Sequence, residues 1–585
     1  MQTNISPFQI PAAPHLRWLA QAGECLLGLN QLDNYYRQRQ SDMSSRDFLR
    51  YTLNRLGVDY YITSGSCDEI PQQGATIVVA NHPFGAIEGV VLAELLLQHR
   101  QDVKVLANEY LHRIDELAEL FIGVDVFETA SSAQSNIHGI KQALRHLNNG
   151  GLLLVFPAGE VSSIQIKQRQ ITDKKWNRII AMMARKTKAS TTPIYIEGNN
   201  SKLFHLAGLL NPRLRTLMLV REMLNKRQQK IKLHIGQNIP YTELKALSSD
   251  EAITHYLRMN TYLLAGQIKN KIGIEKNNLQ SMQTIAPPVD KQKLQQDINK
   301  LTIDCLLVEK NNLLVYCASA EKLPNVLQEI GRLREITFRQ VAEGTGLASD
   351  TDEYDKDYLH MFIWNKTEQE IAGAYRLGLV DQLIKKQGIK TLYSRSLFHY
   401  DERFIKNMGR CIEMGRSFIR IEYQRSLNTL LLLWKGIAGF ASRHPQYTTL
   451  FGPVSISSDY SELSRSLMAG FLQLHHYDHK RAEMVKAKNP HRKTPGTFWS
   501  KNMLKNINDN QLISRLIYRM EGDKGLPVLL RQYLGLNGKL VCFNVDKDFN
   551  NSLDGMIIVD LLDVPERVLG KYMGKEEAKS FLNRQ

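Results

Sequence analysis

Short apolar runs alternate with amphipathic stretches between Ala75 and Gln237. The runs fall at 75–80, 103–107, 151–156, 192–196 and 231–235. Brief apolar runs separated by helical periodicity predict a parallel or mixed sheet with helices packed on it. Upstream, Met1 to about Tyr61 places apolar residues at helical spacing, as in Leu16-Arg17-Trp18-Leu19 and Phe48-Leu49-Arg50-Tyr51-Thr52-Leu53. That stretch is predicted to be helical, capping the first domain or lying in a lipid interface. The polar stretch 277–312, with Pro287-Pro288, reads as a linker carrying a short helix. A second α/β unit follows: a strand at 313–317, a helix at 323–341, then strands at 359–364 and 371–378 joined by the polar turn 365–370. The expected boundaries are a helical segment 1–74, a first domain 75–276, a linker 277–311 and a second domain 312–585. No internal repeat relates the halves.

Two turns carry candidate chemistry. Asn81-His82-Pro83-Phe84-Gly85-Ala86-Ile87-Glu88-Gly89 follows the run at 75–80 and precedes a leucine-rich segment, so it reads as strand, tight turn, helix. An imidazole with a carboxylate close behind it is the pairing that activates a hydroxyl as nucleophile, since the carboxylate fixes the tautomer and raises basicity. The second turn, Phe156-Pro157-Ala158-Gly159-Glu160-Val161-Ser162, ends the run at 151–156. Together they point to acyl transfer, with His82 as base and Glu88 as its partner.

Composition narrows the setting. Six cysteines, Cys25, Cys67, Cys305, Cys317, Cys411 and Cys542, lie scattered without a Cys-x-x-Cys pair, which argues against zinc and a disulfide framework and fits a reducing cytoplasm. The N-terminus lacks the basic-then-apolar order of a signal peptide. No apolar run reaches the ~18–20 residues that span a bilayer. The net charge is +16. The excess of the first half is concentrated at Val161 to Lys232, with 16 basic and 3 acidic side chains. Such a cluster suits an anionic membrane surface or an acidic carrier protein. No zinc-finger or RNA-motif signature accompanies it, so nucleic acid is not expected. Asp350, Asp352, Asp355 and Asp357 do not form a calcium loop, because an EF-hand needs glycine at its sixth place and glutamate at its twelfth, where Met361 stands. His475 and His479 lack the glutamate of a His-Glu-x-x-His zinc helix. No metal is expected.

The two turns, with the later Thr192-Pro193-Ile194-Tyr195-Ile196-Glu197-Gly198, resemble the lysophospholipid acyltransferase superfamily, whose blocks are a His-x4-Asp turn, a Phe-Pro-Glu-Gly-Thr-Arg block and a late proline-containing strand. The spacing here is His-x5-Glu, and the second block reads Phe-Pro-Ala-Gly-Glu-Val-Ser, without the arginine. Both departures look like the haemolysin-like subgroup that makes amino-acid lipids. In the wider family that arginine holds an acceptor phosphate, so the resemblance implies an acceptor without one. The second unit opens in the order of the GNAT fold. Asp352 to Asp355, Gly373 to Arg376, Cys411 to Ser417, Phe451 to Ser457 and Phe543 to Gly555 resemble GNAT enzymes that take acyl groups from carrier protein. The order of the two is that of bifunctional ornithine-lipid synthases.

The resemblance implies an α/β fold of two domains and a reaction sequence. The second domain N-acylates an amino acid from a 3-hydroxyacyl thioester on the phosphopantetheine of acyl carrier protein, with no other cofactor. Glu413, or next Asp355, takes the amine's proton, while Arg376 and Arg416 bind the amino-acid carboxylate or the carrier's phosphate. The first domain then acylates the free hydroxyl of that lyso-lipid through His82 and Glu88. Asn81, Phe156 and Pro157 shape the site, amides near Gly85 or Gly159 stabilise the oxyanion, and Glu160 meets an ornithine ammonium or steadies its own loop. The amino acid stays open among ornithine, glycine, glutamine and lysine. The expected location is cytoplasmic, peripheral to the inner membrane. The rival readings are a glycerophospholipid acyltransferase fused to a GNAT domain acting on another amine, and a non-catalytic membrane-surface protein.

Overall fold

The computed structural model describes residues 7–10, 15, 17–124, 132–165, 170–273, 282–492 and 497–583. The chain divides into two compact units, Met1–Gly273 with Phe498–Leu512, and Ile274–Thr497 with Ile513–Gln585. Both are α/β, as the sequence pattern predicts.

The first unit is built on seven strands in the spatial order Asp59–Ser64, Lys230–Ile235, Ser190–Glu197, Thr76–Ala80, Leu152–Val155, Val103–Asn108, Phe121–Val124. All neighbours run parallel except Ser190–Glu197 with Lys230–Ile235. Thr76–Ala80 is central and buried at every position, which is why it reads as an unbroken apolar run rather than an alternating one. Val79 lies opposite Val155 on one side and Pro193 on the other. Parallel pairing in that register delivers both turns, after Ala80 and after Val155, to the same carboxyl edge of the sheet. Ligands of open α/β sheets bind at that edge. Helix Ile87–His99 starts within the first turn and buries Val91, Leu92, Leu95 and Leu96 in the same core as Val78, Leu154 and Ile196.

Upstream, helices Arg17–Leu27, Leu29–Arg37 and Ser45–Leu56 match the helical reading. That reading runs too far. Tyr60 and Tyr61 belong to the edge strand Asp59–Ser64, whose positions alternate between exposed and half-buried and so give only a weak apolar signal. Another difference concerns chain order. The sequence reading keeps 312–585 as one piece, whereas Phe498–Leu512 completes the first unit by packing on helix Asp250–Gly273. There the Phe498 ring lies 5.3 Å from Tyr262, Asn506 is bonded to His255 at 2.9 Å, and Trp499, Met503 and Leu504 are buried.

The second unit has eight strands in the order Leu306–Lys310, Leu313–Ser319, Leu359–Asn365, Glu370–Leu379, Cys411–Ile419, Thr449–Ile456, Ser552–Asp560, Lys539–Asp546. Neighbours are antiparallel except Cys411–Ile419 with Thr449–Ile456. That parallel pair holds register only over Cys411↔Thr449, Ile412↔Leu450 and Glu413↔Phe451. Beyond it, each strand stays bonded to its outer neighbour, so the two part and open a wedge in the sheet. Helix Pro324–Gln340 covers one face. Among the described residues no helix is long and apolar enough to cross a membrane.

Because Phe498–Leu512 fills a face of Asp250–Gly273, residues 1–273 expressed alone are expected to melt low. A synthetic 498–512 peptide should raise the midpoint by roughly 4 °C through binding to the folded form. A thermal melt with and without peptide checks this, and an unmoved midpoint contradicts it.

Candidate active sites

At the carboxyl edge of the first sheet, His82 Nδ1 lies 2.9 Å from Glu88 Oε1, with the carboxylate fully buried and the imidazole 15% exposed. The contact is an ion pair whenever the imidazole carries its second proton, and Glu88 Oε2 makes no hydrogen bond. Glu88 Oε1 also accepts from the backbone N–H of Phe84 at 2.8 Å and of Gly85 at 2.7 Å. One carboxylate thus closes the turn and faces the imidazole. The turn needs glycine at 85, whose φ is +110° and where a Cβ would come within 2.5 Å of Leu219 and 2.9 Å of Val161. Asn81 stitches the strand end to its neighbour, donating to Ile196 O and accepting from Ile196 N.

The second turn packs against the first. The Phe156 ring lies 4.6 Å from the His82 ring, and Ser162 N donates to His82 O at 2.8 Å. Pro157 O accepts from Asn177 N at 2.8 Å. Asp173, which the sequence reading missed, ties these parts together. Its Oδ1 accepts from His82 N and from the Ser162 hydroxyl, and its Oδ2 from Trp176 Nε1. It stands 91 residues from His82 in the chain, and no motif marks it.

Burial alone would lower the His82 pKa. The Glu88 charge and contact, with Asp173 behind, outweigh burial and hold the imidazole above its ordinary value. Burial likewise pushes Glu88 up, but the imidazole and the Gly85 amide bring it below the usual carboxylate range. An imidazole of raised basicity, 15% exposed, is fitted to take a proton from a hydroxyl.

Other expected residues are differently placed. The Gly85 amide is committed to Glu88, and the Gly159 amide donates to Phe156 O at 3.0 Å, so neither is free for an oxyanion. Glu160 is bonded to Arg215 at 2.5 Å and to Lys174 at 2.8 Å. Arg215 and Lys174 line a cleft of about 170 Å³ with Ser163, Gln165, His205 and Leu209.

In the second unit Arg416 sits on a β-bulge. Ala374 pairs with Phe418 and Arg376 with Gly415, so Cys411–Ile419 carries the extra residue, and Arg416 has φ +50°. Bulges re-aim side chains beside functional sites. Here the guanidinium is turned between the rings of Tyr393 and Phe549, donates to the Tyr393 hydroxyl at 2.9 Å, and pairs with Asp350 at 3.2 Å. Arg376 is boxed by Tyr354, Tyr358 and Tyr393 and bonded to Asp352 and Asp355.

The two expected bases are both engaged. Asp355 is buried between Arg334 and Arg376. Burial would raise its carboxyl, but the two guanidiniums hold it far below the usual range. Glu413 is 1% exposed and forms no ion pair among the described residues. It accepts from the Tyr358 hydroxyl and from the backbone N–H of Tyr393 and Ser394, at 3.0 and 2.7 Å. It thereby anchors the segment that carries the Tyr393 ring to Arg416.

Behind the wedge's other wall, on the next strand Ser552–Asp560, stands another carboxylate. Asp554 is bonded to the Ser455 hydroxyl at 2.7 Å, and Ser455 lies beyond the last paired position of its strand, where the wedge is open. Burial and the nearby Asp546 charge raise the Asp554 carboxyl to about 7. Arg416 stands within its electrostatic reach. Asp546 and Asp554 lie inside the stretch the sequence reading singled out, but nothing in one sequence separates them from Asp548 beside them. Among the described residues no group of three or more His, Cys, Asp or Glu side chains is placed to hold a metal ion.

Residues 12–271 match the family model described as Acyltransferase, and residues 333–435 the model described as Acetyltransferase (GNAT) domain. The architecture is therefore an acyltransferase domain followed by a GNAT-like domain. A glycine Nα-acyltransferase of Bacteroides thetaiotaomicron is 36% identical over 36% of this chain and 64% of its own length. Another, of Phocaeicola vulgatus, is 32% identical over 34% and 64%. A lyso-glycine lipid O-acyltransferase of Phocaeicola vulgatus is 28% identical over 33% of this chain and 73% of its own length. The chain thus spans less than two thirds of the two glycine Nα-acyltransferases. A solved CoA-dependent acyl-homoserine lactone synthase is 10% identical over 47% of this chain and 91% of its own, at a TM-score of 0.23, too low to carry an argument.

Glu88→Gln should unsettle the first site in a pH-dependent way. The raised His82 contributes stability fully present below its unfolded value of 6.5 and lost as pH rises through the folded one. The lowered Glu88 contributes stability present above its unfolded 4.5 and lost as pH falls through the folded one. The difference between wild type and variant should therefore be greatest near pH 5–6, at about 3 kcal/mol for a broken buried pair, and shrink on either side. Urea unfolding across pH measures it. A pH-independent difference would mean the pair is not ionised.

Proposed function

We propose that this chain is a bifunctional acyltransferase that builds a two-chain amino-acid lipid. The GNAT-like unit N-acylates an α-amino acid, and the N-terminal unit then O-acylates the hydroxyl on the new amide's acyl chain. The observation that carries the reading is the His82–Glu88 pair at the carboxyl edge of the first sheet, a basic imidazole with a buried carboxylate behind it. The names of the relatives, one kind an N-acyltransferase and the other a lyso-lipid O-acyltransferase, support the pairing of activities in one chain.

In the first step the amino acid's carboxylate docks on Arg416, whose bulge aims it into the wedge. Asp554, across the wedge, takes a proton from the ammonium. The freed amine attacks the thioester carbonyl of a 3-hydroxyacyl carrier protein, the C–S bond breaks, and the thiol leaves with a proton. Glu413 is a positioning residue in this scheme, holding the Tyr393 segment. In the second step His82 removes the proton of the 3-hydroxyl as it attacks a second thioester, and returns it to the leaving thiol. Glu88 stabilises the imidazolium in between.

Glycine is the amino acid we assign first. Relatives named for glycine favour it. The carboxylate that would meet an ornithine ammonium, Glu160, is already paired with Arg215 and Lys174. We place the enzyme on the cytoplasmic face of the inner membrane, with acyl carrier protein as donor.

Two variants test the halves separately. His82→Ala is expected to leave amide formation intact and lower ester formation at least ~10³-fold, so the single-chain lipid accumulates. Normal two-chain product would remove His82 from the chemistry. Asp554→Asn is expected to abolish amide formation while the variant stays folded and still esterifies supplied single-chain lipid. Wild-type amide formation should fall off below about pH 7, where Asp554 takes up a proton. Glu413→Gln, by contrast, should lower the melting temperature. Full activity in a folded Asp554→Asn variant, with loss in a folded Glu413→Gln, would return the base to Glu413. All are read by mass spectrometry of products from purified chain.

A further inference from the structure

Between the strands Ser190–Glu197 and Lys230–Ile235 the first unit carries helices Lys202–Leu210, Pro212–Leu217 and Leu219–Asn225. The first two turn the wrong side outward. Leu203, Leu206, Leu209, Leu210, Leu214 and Leu217 are between 45% and 84% exposed. On Lys202–Leu210 the exposed leucines stand at helical spacing on one face, while Phe204 and His205 are buried on the other. A contiguous exposed apolar surface marks an interaction site.

The ridge is built, not frayed. Ser201 caps the first helix, accepting from Phe204 N at 3.2 Å, and its hydroxyl donates to the buried Glu222 at 2.6 Å. Gly208 lets the second helix close in, since a Cβ there would lie 3.1 Å from Arg215. The ridge also adjoins the cleft beside Glu160: Leu209 and Gly208 line it, with His205, whose two buried ring nitrogens make no hydrogen bond.

Charge chooses the occupant. Residues 199–232 hold eight Lys and Arg side chains against the single acid Glu222, and of these Lys202, Arg221 and Lys230 are exposed, whereas Arg215 and Lys226 are buried. A second copy would bring the same positive charge and be repelled. An anionic bilayer supplies both the apolar depth for the leucines and the negative surface for the flanking cations.

We infer that the leucine ridge of helices Lys202–Leu210 and Pro212–Leu217 is the surface by which this chain docks on an anionic membrane, bringing the cleft beside Glu160 to the lipid. The inference rests on the proposed function only for its purpose, because docking is measured without turnover. Flotation of the purified full chain with phosphatidylglycerol-containing vesicles tests it. Wild type should float. Leu206→Ser/Leu210→Ser should lose at least about tenfold in partitioning, and Leu206→Met/Leu210→Met should float as wild type. Quenching of Leu210→Trp emission by brominated anionic lipid, above that of the parent chain, decides the case if the serine pair unfolds. The inference is overturned if wild type does not float, if the serine pair floats equally, if Leu210→Trp is not quenched, or if the serine pair changes only the oligomeric state. Turnover of detergent-dispersed single-chain lipid should be unchanged in the serine pair. Its absence in wild type would fail the proposed function and leave the flotation result standing.

Discussion

A single buried carboxylate organises the first unit's site. Glu88 accepts from two consecutive turn amides and faces the His82 imidazole from a position with no solvent exposure. A carboxylate buried in this way is strongly unfavourable unless it is paired and hydrogen-bonded. Its burial therefore requires the turn to be closed, Gly85 to hold its φ of +110°, and His82 to carry a proton or stand ready to. The fully buried strand Thr76–Ala80 is what makes the position deep enough for that constraint to act. Asp173 extends it, fixing the His82 backbone and the second turn to a common anchor.

The second unit solves a similar problem with more charges. Arg334, Asp355, Arg376, Asp352, Arg416 and Asp350 form a chain of ion pairs with little solvent access. Three tyrosine rings around Arg376, and the Tyr393 and Phe549 rings around Arg416, lower the local polarity further. In such a network most members neutralise each other, and a carboxylate whose protonation equilibrium stays displaced, as that of Asp554 does, is a candidate for proton transfer. Asp355 is held ionised by two guanidiniums, whereas Asp554, beside Asp546, is not. The bulge at Arg416 and the parting of Cys411–Ile419 from Thr449–Ile456 set Arg416 on one side of the opening and Asp554, through its bond to Ser455, on the other.

Local features were legible in the sequence and distant ones were not. The five apolar runs of the first domain all became strands, because a buried parallel strand writes itself as an uninterrupted run. His82 and Glu88 could be paired because one turn separates them. The start of Asp59–Ser64, through Tyr61, reads as helix because an edge strand half-buries only alternate, partly polar positions. Asp173 could not be found, since its partners lie far away in the chain and no spacing encodes them. Glu413 shows the other limit. Its residue type suited a base, but the hydroxyl and two amides that occupy it come from Tyr358, Tyr393 and Ser394, which only folding brings together. Phe498–Leu512 carries no mark of belonging to a core more than two hundred residues upstream.

The proposed function requires that one chain make an amide and then an ester on the same molecule. The most direct test is to express the wild-type chain in a bacterial host that makes no amino-acid lipid, feed labelled glycine, and analyse the lipid extract by tandem mass spectrometry. The expected result is a new labelled lipid with one chain in amide linkage and a second esterified to the hydroxyl of the first. An extract in which label enters no lipid and only the phospholipid acyl pattern changes would contradict it, and label from ornithine in place of glycine would correct the head group alone.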